Sequence, residues 1–139
     1  MSDLDNYIAK KLHEDFEYGK NDCMTFTNGA VEAVTGINHL KKIRKWNSAA
    51  QAKKVLKHEK HKEFIDIFDS RFRQHTNLSK LKDGDIALVN NPSDTTFSKY
   101  SATIYYKGKL IGVSSSGMIT FPVESGEYFF NIRSLRIRG

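Results

Sequence analysis

A single cysteine, Cys23, stands in the whole chain, which excludes an internal disulfide and any cysteine-rich zinc site. Two prolines and nine glycines among 139 residues are too few for a linker or a low-complexity array. No internal period of the solenoid kind is present. No apolar run approaches the roughly 20 residues that a membrane-crossing helix needs. Met1 to Lys11 is polar and lacks the apolar stretch of a secretory signal. A soluble chain made in the cytosol, with no cofactor, is therefore expected.

What is present is enough for one core. The hydrophobic fraction is 39%, with nine Phe, six Tyr and one Trp, so a single folded domain over residues 1–139 is expected. The formal net charge is +6 and is uneven. Residues 41–80 hold 12 Lys or Arg against 4 Asp or Glu, and the remainder holds 10 against 12. Such a basic segment can face nucleic acid, an acidic partner or an anionic surface, or it can be a pair of solvated helix faces.

Along the chain, helices come first. Ser2 and Asp5 form a weak capping box for a helix over about 3–13, with Leu4, Ile8 and Leu12 as its apolar stripe. Gly19 is the turn residue before a second helix that begins near Cys23, with Asn21 or Asp22 as its cap. Cys23, Phe26, Ala30 and Ala33 share one face of that helix, and Gly36 stops it. Ser48 caps a short helix over about 49–59. Another over about 61–73 carries Phe64, Ile65, Phe68 and Phe72 at three- and four-residue spacing.

After Asp83-Gly84-Asp85 the period changes to that of strands. Ile86 to Val89, Tyr100 to Tyr106, Lys109 to Ser114, Met118 to Phe121 and Phe129 to Ile137 read as strands, with a hairpin at Lys107-Gly108. Helices followed by strands in one small domain predict an α+β fold, with N-terminal helices packed on a C-terminal antiparallel sheet.

A cysteine at a helix start has a chemical meaning, because unpaired amides and the helix dipole there favour the thiolate, the nucleophile of cysteine hydrolases. The bland alternative is a small buried apolar residue. Residues 16–36 read FEYGKNDCMTFTNGAVEAVTG. This segment resembles the nucleophile region of NlpC/P60 (papain-like) cysteine peptidases, in which an aromatic-x-x-Gly stretch precedes Asp-Cys and an apolar helix follows. Its helix ends in Thr35-Gly36, as in a small phage tail-associated branch of that superfamily. Asp83 to Val89 resembles the Gly-Asp strand that opens the family's sheet, and Ser101 to Pro122 resembles the strand pair after it.

The resemblance implies a papain-like fold and a site at three positions. The nucleophile falls on Cys23. The base, a histidine in the family, falls on Ser101, and the orienting residue falls on Gly112. Neither replacement can do the family's work, since a serine hydroxyl takes no proton near neutral pH and glycine has no side chain. Five histidines remain, His13, His39, His58, His61 and His75. His13 and His39 flank the nucleophile segment and are the candidates for a displaced base. His58 and His61 have a spacing that could face one metal, but no third ligand follows, and no metal is expected.

The expectation that follows is a catalytically degenerate relative: a structural or assembly component of a phage tail, in the tip or hub. It would sit in the virion in a symmetric complex and bind other tail proteins. Lys41, Lys42, Arg44 and Lys45, with Arg133, Arg136 and Arg138, are the candidate partner surface. Two alternatives stay open. One is a cysteine hydrolase acting on an amide or ester with a displaced base. The other is a basic nucleic-acid-binding module, in which Tyr105, Tyr106, Phe129 and Phe130 would stack on bases.

Overall fold

The computed structural model describes residues 3–15, 22–39, 64–90, 100–114 and 117–135. Helix α1 spans Asp3–Lys11, with acidic residues in its first turn and Lys10 and Lys11 in its last, matching the helix dipole. Leu4 and Ile8 are buried one turn apart. Leu12, expected to continue their stripe, lies past the helix end and is 57% exposed. Tyr7 docks α1 on the next helix by donating its hydroxyl proton to Phe26 O at 2.9 Å. Its ring covers Gly29, where a Cβ would stand 2.1 Å from the Tyr7 hydroxyl oxygen.

Helix α2 spans Cys23–Thr35 and has both ends where the local chemistry predicts them. The Asp22 carboxylate accepts the Thr25 amide proton at 2.7 Å, and the Asp22 amide donates to Thr25 Oγ1 at 2.9 Å. This reciprocal pair satisfies two donors that the first turn otherwise strands. Gly36 ends the helix at φ 78°, a left-handed position that glycine adopts without strain.

The helix expected over 61–73 is shorter. Helix α3 spans Phe64–Asp69, and Phe72–Gln74 forms strand β1 instead. Phe68 and Phe72 both reach the core as their spacing suggests, but one does so from a helix and the other from a strand. Pairing of β1 with the last strand of the sheet overrides the helical period at Phe72. The helix expected near 49–59 lies outside the described residues, as do the loop around Pro92 and Ile137.

The remaining strands are β2 (Ile86–Asn90), β3 (Tyr100–Tyr106), β4 (Lys109–Ser114), β5 (Gly117–Pro122) and β6 (Gly126–Leu135). They join β1 in one six-stranded sheet of order β1-β6-β2-β3-β4-β5. Every pairing is antiparallel. Lys107 and Gly108 both have positive φ, 49° and 84°, which is what a two-residue hairpin turn of matching twist requires. The fold is thus α+β, with two N-terminal helices on an antiparallel sheet. No helix among the described residues is long and apolar enough to cross a membrane.

Side chains alternate across the sheet and define its two faces. On the face covered by α2 lie Ile86, Leu88, Ala102, Phe130 and Ile132 with Met24 and Val31, and beside them Ile104 and Val113 with Leu4, Ile8, Phe26 and Ala30. On the opposite face lie Ala87, Val89, Leu110 and Phe129, with Tyr105 and Phe121 packed against them.

Asp85, only 1% exposed, ties the sheet together below its first long strand. Its Oδ2 accepts from His75 Nε2 at 2.8 Å and from the Lys82 amide at 3.0 Å. Its Oδ1 accepts from the Ile132 amide at 3.2 Å and lies 3.4 Å from an Arg133 guanidinium nitrogen. A carboxylate only accepts, so the His75 proton in this contact is on Nε2. One side chain therefore joins the segment after β1, the turn before β2, and β6.

Candidate functional site

Cys23 is half-buried at the first position of α2 and packs against the cluster of Met24, Phe68, Phe72, Leu88, Ala102 and Phe130. The Asp22 carboxylate beside it, 2% exposed, already occupies the Thr25 amide. That carboxylate uses the positive end of the helix, where a thiolate would otherwise gain its stabilisation.

The other two positions implied by the family resemblance are not brought to Cys23. Ser101 stands opposite Val89, and Val89 belongs to the face turned away from α2. Ala102 stands opposite Leu88, and both belong to the cluster on which Cys23 packs. Gly112 shares the Ser101 face: it lies between Ile111 and Val113, which point to α1 and α2, and a Cβ there would stand 3.1 Å from the Thr103 methyl. The β3 residues on the Cys23 face are therefore Tyr100, Ala102, Ile104 and Tyr106.

None of these four can act as a base near neutral pH. Tyr100 packs on the same cluster as Cys23 and stacks edge-on with Tyr128 at 5.7 Å. Burial, with hydrogen bonds to Glu127 and Tyr128, pushes its phenol up to about 12. Tyr106 donates its hydroxyl proton to Asp5, and this bond raises its phenol as well.

Of the two candidates for a displaced base, His13 is exposed beyond the end of α1. His39 is nine-tenths buried and meets the Phe72 ring edge-on at 5.0 Å. Phe72 belongs to the cluster that Cys23 touches. An Asn28 to Asn38 side-chain hydrogen bond of 2.7 Å holds the residue before His39 against α2. Burial, with the Arg71 cation second, lowers the His39 imidazole below its ordinary range. Among the described residues its Nε2 is buried without a hydrogen-bond partner, as is Thr27 Oγ1, four residues after Cys23 on the same helix face. His58 and His61 lie outside the described residues. Among the described residues no group of three or more His, Cys, Asp or Glu could hold a metal ion.

Of the residues expected to form the partner surface, Arg133 is the one the structure describes. Arg133 is engaged with Asp85, and its second guanidinium nitrogen donates to Asp83 O at 3.0 Å. Lys41, Lys42, Arg44, Lys45, Arg136 and Arg138 lie outside the described residues. The aromatic residues considered for base stacking are engaged elsewhere. Phe129 and Phe130 are buried on opposite faces of β6, Tyr105 packs against the far-face cluster, and Tyr106 is bound to Asp5. His75 and Asp85, which the sequence does not single out, form a polar cluster with the Lys82 and Ile132 amides and Arg133.

Residues 1–132 match the family described as Domain of unknown function (DUF6950), and the chain belongs to that family. No curated protein and no solved structure matches it.

Proposed function

We propose that this chain is a non-catalytic structural or assembly domain of a phage tail or tail-like particle, related to the NlpC/P60 peptidases and binding neighbouring tail proteins. The observation that carries the non-catalytic part is the parity of β3. The residues it turns toward Cys23 are Tyr100 and Ala102, while Ser101 points away. A thiol needs an imidazole or an equivalent base both to activate it and to protonate the leaving group. The strand that supplies that base in the peptidases offers none here. The tail assignment and the virion location come from the sequence resemblance.

The second reading, a cysteine hydrolase, is favoured by one observation. His39 is buried beside the cluster on which Cys23 packs, and its Nε2 has no hydrogen-bond partner among the described residues. Substitution separates the two. In the assembly reading, Cys23→Ser leaves co-purification with co-expressed tail proteins of the same genome unchanged. Loss of a hydrolytic activity on peptidoglycan or on a tail protein in both Cys23→Ser and His39→Gln would establish the hydrolase instead.

A further inference from the structure

Among the described residues, strand β5 is an unpaired sheet edge. It pairs with β4 through six consecutive residues without a bulge, from Lys109↔Pro122 to Ser114↔Gly117. Among the described residues no strand lies on its other side. From Met118 to Pro122 the sequence is Met-Ile-Thr-Phe-Pro, with no charge. A free edge presents a row of backbone donors and acceptors, and natural sheets guard such rows with lysine, proline, bulges or very short strands, of which β5 carries only Pro122, at its end. The opposite edge is guarded in this way: β1 has three residues, an irregular register between Phe72 and Arg73, and a basic side chain at Arg73.

We infer that β5 pairs with β5 of a second copy of this chain, antiparallel about Thr120, to give a continuous twelve-stranded sheet. Backbone groups of a strand edge are satisfied by another strand, which fixes the kind of occupant. Identical strands related by a twofold axis perpendicular to the sheet must pair residues of the same face. Pairing about Thr120 places Thr120 opposite its own counterpart, Ile119 opposite Phe121, and Met118 opposite Pro122. Ile119 and Phe121 lie on the face turned away from α2 and are only half-buried in one copy. A β-branched residue opposite an aromatic is a favourable cross-strand pair. Because the strand is uncharged from Met118 to Pro122, self-pairing sets no like charges against each other. Because β1 is guarded, a head-to-tail chain of sheets is disfavoured, and the pairing closes at two copies. This inference is independent of whether Cys23 is inert.

The test is the mass in solution by sedimentation equilibrium from about micromolar to a few hundred micromolar protein. The wild-type chain shifts from 15.9 kDa toward twice that mass as concentration rises. Thr120 is exposed, so Thr120→Lys and Thr120→Glu leave the far-UV circular dichroism of the fold unchanged. Each variant alone is monomeric over the same range, because like charges face each other at the twofold. An equimolar mixture of the two recovers the dimer mass. A wild-type chain that stays monomeric overturns the inference and leaves the edge to a strand of another protein. So does a Thr120→Lys chain that dimerises like wild type, or a mixture that stays monomeric.

Discussion

Replacing Asp85 by alanine removes the acceptor for four donors at once. The Lys82 and Ile132 amides, the His75 imidazole and the Arg133 guanidinium all lose their partner. Arg133 has a side chain 38% exposed and recovers water, so its share is small. The His75 side chain is 7% exposed, and the Ile132 amide lies in the core of the sheet. A buried donor stranded by removal of its partner costs about 1–3 kcal/mol. Two such donors, with the small cavity added, give an expected loss of about 3–5 kcal/mol, similar to breaking a buried ion pair. A domain of this size is stable by about 5–15 kcal/mol, so the variant loses a fifth or more of its stability. Asp85→Asn keeps one acceptor oxygen and turns a donor toward one pair of partners, and it loses about 2 kcal/mol. Urea unfolding followed by circular dichroism measures both, with the midpoint falling and the slope unchanged. An Asp85→Ala chain within about 1 kcal/mol of wild type, or an asparagine variant worse than the alanine one, refutes the clamp.

His39 makes stability depend on pH in a defined direction. Burial and Arg71 hold its imidazole below its ordinary value, so the unfolded chain binds a proton at higher pH than the folded one does. Unfolding free energy therefore loses nothing from this group above about pH 6.5 and falls as pH drops below it, until the folded-state value is passed. His39→Gln flattens that part of the profile in urea titrations across the window, and an unchanged profile counts against the buried neutral imidazole. Gly29→Ala forces a methyl into the Tyr7 ring and displaces α1, with an expected loss of about 1–3 kcal/mol and faster proteolysis near the N-terminus. Proteolysis at the wild-type rate would show that Tyr7 does not hold α1 in place.

Local signals were legible where the chemistry is local. Asp22 with Thr25, and Gly36, mark the ends of α2 by their own hydrogen bonds and backbone angle. The alternation of β2 and β3 and the Lys107-Gly108 turn mark the centre of the sheet. Strand β1 was hidden because three residues carry no period and Phe72 continues the helical spacing of Phe64, Ile65 and Phe68. Strand β6 begins at Gly126, earlier than Phe129, since a glycine reads as a turn. A Cβ there would lie 2.4 Å from the Phe129 ring, at the register shift opposite Val89. The Asp85 clamp joins residues far apart in the chain and leaves no sequence pattern.

The position of Cys23 at the start of α2 was legible in the sequence, and the face of Ser101 was not. Assigning the base position from a family motif gives the residue but not its face, and one residue of register moves a side chain to the other side of the sheet. The signal that decides it lies within β3 itself. Apolar Ala102 and Ile104 alternate with Ser101 and Thr103, and the apolar pair faces α2.

The central claim is that β3 offers Cys23 no catalytic base, and the pH dependence of Cys23 alkylation in the native protein tests it most directly, with Cys23→Ser as the blank. The account predicts slow labelling that rises only above about pH 8, as for an ordinary thiol. Fast labelling that persists well below about pH 7 would contradict it, because that requires a stabilised thiolate with a cation such as the His39 imidazolium at the sulfur.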